Sequence, residues 1–267
     1  MSVTRSEQPT PDYVPGHDLL AGKVVVVTAA AGAGIGAAVV RRALEEGAKA
    51  VVFSDTHERR LAEAEEVLAG EFGADRVRQL VCDVTRGADV QALLDAAEDL
   101  GGVDVMVNNA GLGGTSDILA MGDDEWGRVI DITLTGTMRC TRAAGTRFVA
   151  AGRKGVIVNN ASVIGWRAQE GQAHYAAAKA GVMALTRCAA LDLAPHGIRV
   201  NAVSPSLAMH PFLEKVTSPE LLVELKQREA FGRAAAPWEV ANVMVFLASD
   251  YSSYLTGEVL SVSSQHA

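Results

Sequence analysis

Short runs of apolar residues alternate along the chain with longer segments that are apolar on one face only. The first run, 24–28, contains four consecutive valines, a pattern typical of a strand that is buried on both faces. The segment 34–46 that follows is predicted to be a helix ending at Gly47. Such alternation favours a parallel sheet that is covered on both faces by helices. We therefore predict an α/β fold with a doubly wound parallel sheet.

The alternation continues without a repeat, a linker or a change in composition. Strands are predicted at 24–28, 50–54, 77–81, 103–107, 155–159, 198–203 and 259–262. Helices are predicted at 34–46, 57–69, 90–100, 123–149, 173–194, 219–228 and 237–247. We expect a single domain over 21–267, in which the irregular stretch 206–233 is long enough to close over a substrate. The polar residues 1–20 are expected to form a tail, either mobile or held on the surface, without the apolar run of a secretory signal.

The composition argues against several classes of protein. With 267 residues, of which 49% are hydrophobic, the chain can bury a core without disulfides or a structural metal. Its net charge is −8, whereas binders of nucleic acid or anionic membranes need a basic surface. The most apolar stretch, 24–40, is interrupted by glycines and is shorter than the ~20 residues that a membrane helix requires. Cys82, Cys140 and Cys188 form no disulfide or metal pattern, so we expect reduced, buried thiols in a cytoplasmic protein.

A glycine-rich turn lies between the first predicted strand and the first predicted helix. It spans residues 28–38, TAAAGAGIGAA, with Gly32, Gly34 and Gly36 around Ile35. Glycines at such a turn let the backbone approach a pyrophosphate, which the N–H groups and the positive dipole end of the helix then bind. The pattern alone also fits a tight strand-to-helix turn. We expect Gly32, Gly34, Ile35 and Gly36 to contact a dinucleotide.

An acidic residue, Asp55, ends the second predicted strand, 19 residues after Gly36. A carboxylate at this place accepts hydrogen bonds from an adenosine ribose diol and repels a 2′-phosphate. The repulsion predicts a preference of at least ~10-fold for NAD over NADP. Ala33 supplies no cation for a 2′-phosphate. Arg59 and Arg60 can soften the preference, although we expect them on an exposed helix face.

The next two predicted strands also end in residues that suit a nucleotide. Asp83 and Val84 follow the third strand, where a carboxylate can accept a hydrogen bond from the adenine amino group. Asn109, Ala110 and Gly111 follow the fourth strand, where small residues let a dinucleotide lie across the strand ends. Each motif alone also fits ordinary turn chemistry. Their occurrence at successive strand ends favours a dinucleotide site.

Three polar residues further along the chain can carry acid–base chemistry. Tyr175 and Lys179 are four residues apart near the start of a predicted helix, so their side chains share one face. A buried ammonium lowers the pKa of a neighbouring phenol from ~10 toward neutrality, so that Tyr175 can exchange a proton with an alcohol or a carbonyl. Ser162, 13 residues before Tyr175, can hydrogen-bond the same oxygen as charge develops. The alternative is a half-buried tyrosine beside a lysine that extends to solvent.

Together these motifs resemble those of the short-chain dehydrogenase/reductase family over residues 20–262. The resemblance rests on the 32–36 turn, Asp55, Asp83-Val84, NNAG at 108–111, Ser162, Tyr175-x-x-x-Lys179 and NAVSP at 201–205. It implies a Rossmann-like fold, NAD(P)-linked interconversion of alcohols and ketones, and a homotetramer or homodimer. It also implies that Tyr175, Lys179 and Ala208 contact the cofactor, and that Lys179 does so at the nicotinamide ribose. Residues 163–165 would line the substrate side.

Three positions depart from the pattern of the family. The glycine turn is one residue longer than usual, and Ala29 stands where the family has a glycine. Thr133 stands at the fourth catalytic position, where the family has an asparagine that holds a water for proton relay. A threonine can bond back to a carbonyl of its own helix, and we expect the relay to persist in an altered form. His210 replaces a threonine that contacts the carboxamide, and it is either a polar ligand or an exposed residue.

Within the family, the chain resembles actinobacterial hydroxyacyl-CoA dehydrogenases of steroid C/D-ring degradation. This resemblance implies NAD-dependent oxidation of a ring hydroxyl on a bicyclic, indane-type CoA thioester. Residues compatible with a ring pocket are Trp166, Met209, Phe212 and Leu213, and cations compatible with CoA phosphates are Arg167, Lys215, Lys226 and Arg233. The alternatives are core packing for the first group and solvent exposure for the second. Reduction of 3-oxoacyl thioesters, carried on CoA or on an acyl carrier, and a catalytically silent dinucleotide sensor are alternative functions.

Overall fold

Seven parallel strands form one sheet in the part of the chain that the structure describes, residues 7–209 and 218–265 of a computed structural model. The strands are β1 (Val24–Val27), β2 (Ala50–Asp55), β3 (Val77–Val81), β4 (Val105–Asn108), β5 (Val156–Asn160), β6 (Arg199–Pro205) and β7 (Val259–Val262). Their order is β3-β2-β1-β4-β5-β6-β7, and each neighbouring pair is parallel. The predicted α/β class and doubly wound sheet are confirmed.

Helices connect the strands and cover both faces of the sheet. They are α1 (Ile35–Glu45), α2 (Glu58–Phe72), α3 (Gly87–Glu98), α4 (Asp123–Ile130), α5 (Gly136–Ala150), α6 (Ala173–Leu193), α7 (Pro219–Arg228) and α8 (Pro237–Ala248). Each lies where the sequence predicts a helix, with ends that shift by a few residues. After α6 the chain continues as a 3₁₀ turn, Ala194–His196, because Pro195 has no N–H group with which to extend the helix.

One π-helical turn, Asp131–Thr135, separates α4 from α5. Such turns insert an extra residue into a helix and are frequent at functional sites. This one contains Thr133, whose side chain is fully buried. The prediction of one long helix over 123–149 missed the turn, because the spacing of apolar residues does not reveal a local one-residue bulge.

The valine run forms the central strand because both of its faces are covered. Val25 and Val27 pack into the core on one side of the sheet, and Val24 and Val26 pack into the core on the other. Successive side chains of a strand point to opposite faces, so a strand covered on both sides needs an apolar residue at every position.

The strand order reverses between β1 and β4, which opens a crevice at the carboxyl ends of these strands.

A buried ion pair holds the described part of the N-terminal tail on the surface. Arg42 Nη2 lies 2.6 Å from Glu46 Oε1, and the two side chains are 5% and 0% exposed. The Arg42 guanidinium also donates to the carbonyls of Val14 and Pro15. Glu46 Oε2 accepts the backbone N–H of His17 at 2.7 Å. For this stretch the bonds favour the surface-held alternative over the mobile one.

The predicted substrate-covering stretch, 206–233, is described only in part. Its amphipathic piece forms α7 as predicted, and none of the α7 side chains is buried against the described residues. The residues 210–217 lie outside the described ranges, and with them four residues singled out from the sequence: His210, Phe212, Leu213 and Lys215.

Three further features of the described residues concern thiols, membranes and metals. Cys82 and Cys140 are free and buried as predicted, but Cys188 is exposed, because it lies on the solvent side of α6. Within the described ranges, no helix combines the length and apolarity needed to cross a membrane. The same ranges contain no cluster of three or more His, Cys, Asp or Glu side chains suited to a metal ion.

Replacing Arg42 with alanine should lower the free energy of unfolding by about 3–5 kcal/mol, because it leaves the buried Glu46 carboxylate without its cation. Arg41→Ala is the matched control: Arg41 pairs with Glu71 at 2.6 Å on the surface, and its removal should change the free energy by about 1 kcal/mol or less. Urea denaturation of both variants measures the difference. Equal losses in the two variants would contradict the role assigned to the buried pair.

Candidate active site

The predicted nucleotide motifs meet at the carboxyl ends of β1 and β4. The hydroxyl of Thr28, which follows β1, accepts the backbone N–H groups of Asn109 and Ala110, both at 3.0 Å. The Asn109 side-chain amide donates to the carbonyl of Ala29 at 2.9 Å. These bonds fasten the glycine-rich turn to the end of β4, and Gly111 continues the same segment as an exposed residue.

The glycine-rich turn fits the pyrophosphate of a dinucleotide. No described atom lies within 4 Å of a Cβ built at Gly32 or Gly34, so both positions face open space. Gly36 is needed for packing instead, since a Cβ there would lie 2.5 Å from the carbonyl oxygen of Ala29. Helix α1 begins at Ile35, and its own hydrogen bonds begin at the N–H of Ala38. The N–H groups before Ala38 therefore have no partner within the helix and can bind an anion.

Ala29 gives the turn an unfavourable backbone conformation. Its φ is +54°, in the left-handed region. This region costs an L-residue about 1–2 kcal/mol, because the Cβ approaches the following carbonyl. Glycine has no Cβ and adopts the region freely. This is the physical reason for the glycine expected at this position from the family pattern.

Asp55 lies at the end of β2 and faces the glycine-rich turn. Its carboxylate oxygens lie 3.4 Å from the Ala31 N–H nitrogen and 3.2 Å from that of His57. Arg60 Nη2 lies 3.7 Å from Asp55 Oδ1. Arg60 is exposed as expected, and the first turn of α2 also brings its guanidinium near Asp55, where it can soften the preference for NAD. Arg59 pairs on the exposed face instead, with Glu63 at 3.7 Å.

Asp83 and Val84 follow β3, and they have different surroundings. Partial burial acts to raise the pKa of Asp83, but hydrogen bonds from the N–H and hydroxyl of Thr85, at 2.9 and 2.8 Å, outweigh it, so the pKa lies below its usual value. Val84 is buried against the start of α5, where a Cβ at Gly136 would lie 2.6 Å from its Cγ2. Asp83 is thus a charged acceptor at the strand end, and Val84 supports the helix behind it.

Tyr175 and Lys179 lie on one face of α6, as predicted from their spacing. Lys179 is 3% exposed, and burial lowers its pKa to about 8. Its Nζ lies 5.5 Å from the centroid of the Tyr175 ring and donates to the carbonyl oxygen of Asn160 at 2.6 Å. Burial raises the pKa of Tyr175, although a hydrogen bond with Ser162 acts in the opposite direction. The predicted lowering of the Tyr175 pKa is wrong for this structure, because burial raises the pKa and the Lys179 ammonium donates to a carbonyl rather than to the phenol.

Asn160 joins the lysine to the nucleotide motifs and was not singled out from the sequence. Its carbonyl accepts from Lys179, and its side-chain amide donates to Asn109 Oδ1 at 2.9 Å. Asn109 in turn donates to Ala29 in the glycine-rich turn. The pair of asparagines that ends the predicted strand at 155–159 is the only sequence signal for this link, and on its own it fits an ordinary strand end.

Thr133 lies beside Lys179, and its hydroxyl bonds to the loop after β4. Its hydroxyl accepts the N–H of Leu112 at 3.0 Å and donates to the carbonyl of Leu112 at 3.2 Å. The hydroxyl is therefore directed toward the loop after β4 and not back to a carbonyl of its own helix. A Cβ at Gly111 would lie 3.4 Å from Lys179 Nζ and 3.8 Å from Thr133 Oγ1, so this glycine lies between the two side chains.

A cavity of about 360 Å³ lies next to Tyr175. Its lining comes from the loop after β4, from α4 and from the start of α6: Leu112, Gly113, Gly114, Asp124, Glu125, Arg128, Val129 and His174. A Cβ at Gly113 would lie 3.9 Å from the Tyr175 ring, so the cavity adjoins the phenol. His174 was not singled out from the sequence, because a histidine beside a helical tyrosine carries no pattern of its own.

The cations predicted to meet CoA phosphates have partners of other kinds. Arg233 is 9% exposed and forms two hydrogen bonds with Glu239, at 2.7 and 2.8 Å, so its charge is already balanced within the fold. Arg167 donates to the side chain of Gln265. Lys226, on α7, lines a second cavity of about 260 Å³. Arg233 lines the same cavity, where its ion pair with Glu239 offsets its charge.

The apolar candidates near Ser162 are only partly brought together. Trp166 is 50% exposed and follows the 3₁₀ turn Val163–Gly165, which the Ser162 hydroxyl caps by accepting the N–H of Ile164 at 3.3 Å. Met209 lines the second cavity rather than the cavity beside Tyr175. Ala208 is buried and forms a parallel bridge with residue 235.

Comparisons with known proteins agree with this geometry. Residues 29–264 match the family described as enoyl-(acyl carrier protein) reductase. The chain is 62% identical over 257 residues to the (5R,7aS)-5-hydroxy-7a-methyl-1-oxo-2,3,5,6,7,7a-hexahydro-1H-indene-carboxyl-CoA reductase of Mycobacterium tuberculosis, with 96% of this chain and 97% of that protein covered. It is 36% identical to the 3-oxoacyl-(acyl-carrier-protein) reductase of Vibrio cholerae, with 91% and 97% covered. A crystal structure of a short chain dehydrogenase from Mycobacterium smegmatis is similar with a TM-score of 0.86 at 56% identity, with 97% and 99% covered.

Ala29→Gly should raise the free energy of unfolding by about 0.5–1 kcal/mol, because relief of the left-handed strain exceeds the extra entropy of glycine in the unfolded chain. The control is Ala30→Gly at the buried neighbouring position, which lacks a positive φ and should lose about 1 kcal/mol. Chemical denaturation of the two variants checks the opposite signs. A destabilised Ala29→Gly variant would contradict the strain assigned to the turn.

Proposed function

The chain belongs to the short-chain dehydrogenase/reductase family, and on this basis we propose that it interconverts a ring alcohol and a ketone on a bicyclic CoA thioester. It is an oxidoreductase of a family that uses a nicotinamide dinucleotide. The observation that carries the substrate proposal is the 62% identity, over nearly the full length of both chains, to a reductase named for a hydroxy-oxo-hexahydroindene-carboxyl-CoA. The constellation of Ser162, Tyr175 and Lys179 supports a catalytic protein over a silent sensor.

Two groups of residues would hold the cofactor. Those proposed for the pyrophosphate and adenosine are Gly32, Gly34, Ile35, Gly36, Asp55, Asp83 and Val84. Those proposed for the nicotinamide half are Asn109, Ala110, Gly111, Tyr175, Lys179 and Ala208. When bound, the nicotinamide supplies or accepts the hydride of the reaction.

Tyr175 is proposed to carry the proton of the substrate oxygen. A hydroxyl oxygen on the substrate gives its proton to the phenolate when the alcohol becomes a ketone, and the phenol returns it in the reverse direction. Ser162 hydrogen-bonds the same oxygen and stabilises its developing charge. Burial raises the pKa of Tyr175 in this structure, and an ammonium close to the phenol oxygen acts in the opposite direction and favours the base form.

Thr133 is proposed to act on the site through the loop after β4. Its hydroxyl forms both of its described bonds with Leu112 and thereby fixes the loop beside Lys179 and Gly111. This is the altered form in which we expect the fourth catalytic position to serve the proton relay.

NAD is the proposed cofactor in preference to NADP. Asp55 places a carboxylate at the end of β2, beside the turn that fits the pyrophosphate. Arg60 lies close enough to Asp55 to offset part of the carboxylate charge, so we expect a moderate preference for NAD over NADP.

Reduction of a 3-oxoacyl thioester is the second candidate function. The similarity to the Vibrio cholerae 3-oxoacyl-(acyl-carrier-protein) reductase favours it, at 36% identity. The same Ser162, Tyr175 and Lys179 would serve it, since both reactions move a proton at a carbonyl or hydroxyl oxygen. Comparison of the two substrate classes on one enzyme preparation separates them.

We further propose a homodimer or homotetramer that works in the cytoplasm. Several large apolar side chains of the single chain are highly exposed, among them Leu191 at 76% and Tyr254 at 100%, and a partner subunit can cover them. The three free cysteines fit a reducing compartment.

Tyr175→Phe should lower kcat for the CoA-linked ring alcohol by about 10²–10⁴-fold, because the proton acceptor is lost. NADH formation is measured with the hydroxy-indane CoA thioester, and cofactor affinity is measured separately by fluorescence, which should change little. The control is Tyr251→Phe at an exposed tyrosine, which should retain activity. Undiminished turnover by Tyr175→Phe would refute the proposed mechanism.

Asp55→Asn should reduce the ratio of NAD to NADP affinity by about tenfold, because the variant removes the charge that repels a 2′-phosphate but keeps the shape of the side chain. Affinities for the two oxidised cofactors are measured by fluorescence titration. Glu58→Gln removes a neighbouring exposed charge and should leave the ratio unchanged. A ratio that stays constant in the Asp55 variant would show that this carboxylate does not select the cofactor.

A further inference from the structure

A fully buried histidine, His174, directly precedes the tyrosine proposed to transfer the proton. It lies in the first turn of α6 and is 0% exposed. Its Nε2 has no hydrogen-bond partner within the described parts of the chain. Burial of an imidazole with one unpaired nitrogen is unfavourable, so such a group calls for a physical reason. The contacts of its two nitrogens provide one.

The first nitrogen, Nδ1, holds the backbone of Tyr175. It accepts the Tyr175 N–H at 2.9 Å. The N–H groups in the first turn of a helix have no carbonyl four residues earlier to bind, and in α6 the regular bonds begin with the Ala176 N–H to the carbonyl of Gln172. The imidazole therefore satisfies an N–H group that the helix itself leaves unpaired, on the residue that carries the phenol.

The second nitrogen, Nε2, faces α4 across the cavity. Because Nδ1 accepts a hydrogen bond, a neutral His174 carries its proton on Nε2. This nitrogen lies 3.6 Å from Glu125 Oε1. Asp124 and Arg128 are the other charged groups that α4 presents to the cavity. The loop after β4 presents only Leu112 and two glycines, and a Cβ at Gly114 would lie 3.4 Å from Nε2.

Protonation of the imidazole changes the bond to Tyr175. A second proton on Nδ1 removes the acceptor and sets two N–H groups against each other. The ring then carries a positive charge 3.6 Å from the Glu125 carboxylate. The hydrogen bond that holds the Tyr175 backbone therefore exists only while His174 is neutral.

We propose that His174 is a positioning residue that fixes the backbone of Tyr175 for proton transfer, and that acid releases this bond with Glu125 as the counter-ion. The proposal rests on the proposed function, because the tyrosine it positions is the one assigned to the substrate proton. In the direction of ketone reduction, where Tyr175 acts as the acid, it adds a loss of activity at acid pH that the tyrosine itself does not supply.

Two substitutions separate positioning from mere packing. His174→Phe fills the space without an acceptor, and we expect kcat to fall by about 10–100-fold with little change in KM, since small displacements of a reacting group have effects of this size. His174→Asn offers an acceptor that does not titrate, so we expect kcat within about threefold of the parent enzyme. In the direction of ketone reduction, where the protonated phenol of Tyr175 is the proton donor, the parent enzyme should lose kcat as the pH falls from 7 to 5, and His174→Asn should not. His196→Phe, at an exposed histidine, should retain both the parent kcat and the loss at acid pH.

Glu125→Gln tests the counter-ion. The amide carries no charge to face the protonated ring, so the loss of kcat at acid pH should require a lower pH than in the parent enzyme. If His174→Phe does not fold, the comparison of the parent enzyme with His174→Asn still decides the proposal. It is overturned if His174→Asn loses as much kcat as His174→Phe or keeps the acid limb, or if His174→Phe retains full kcat.

Amide hydrogen exchange at the start of α6 distinguishes failure of this proposal from failure of the proposed function. Measured without substrate, exchange of the Tyr175 N–H should be faster in His174→Phe than in the parent, and should match the parent in His174→Asn. If no substrate is turned over but this pattern appears, the proposed function fails and the positioning bond stands. Equal exchange in all three proteins overturns the positioning bond, whatever the activity.

Discussion

A buried ammonium is the group on which the arrangement of the site depends. Lys179 is almost inaccessible to solvent, and a charge removed from water is tolerated only when hydrogen-bond acceptors replace the lost water. The carbonyl of Asn160 supplies one acceptor, and Asn160 is linked through Asn109 to the carbonyl of Ala29. One chain of hydrogen bonds across three neighbouring strands therefore links Lys179 to the glycine-rich turn. A displacement of the lysine would disturb the turn, and a displacement of the turn would disturb the lysine.

A second set of buried amides, one layer deeper, sets the position of α6. The side-chain amide of Asn108 donates to Asn159 at 2.8 Å, and that of Asn159 donates to the Thr186 hydroxyl at 2.9 Å. Asn108 also reaches Thr141 of α5 at 3.0 Å. Buried polar groups in an apolar core find their hydrogen-bond partners only when the helices and strands that carry them are correctly aligned. Because α6 carries both Tyr175 and Lys179, these bonds place the chemistry relative to the strand ends.

Much of the fold and part of the site could be predicted from sequence, because both rest on local patterns. The valine run of β1 alternates between two cores, which periodicity detects. Asp55 and Asn109 follow predicted strands, and parallel strands end at one edge of a sheet, so their proximity could be inferred. Contacts between residues distant in sequence could not be predicted. Burial raises the pKa of Tyr175, the Lys179 ammonium donates to Asn160, and Thr133, in a π-helical turn, bonds to Leu112. His174 was missed for the same reason, since its second neighbour, Glu125, lies on another helix.

The strand order also bears on how the sheet is assembled during synthesis. The strands β1, β2 and β3 lie side by side at one end of the order and are all contained in residues 24–81. One half of the sheet can therefore pair before the ribosome has translated β4, and β1 then serves as the template edge to which the later strands are added in sequence order, β4 to β7. Parallel pairing is slow and leaves edges exposed. Once β4 has joined β1, each new strand joins the strand made just before it, so the sheet then grows at one edge only.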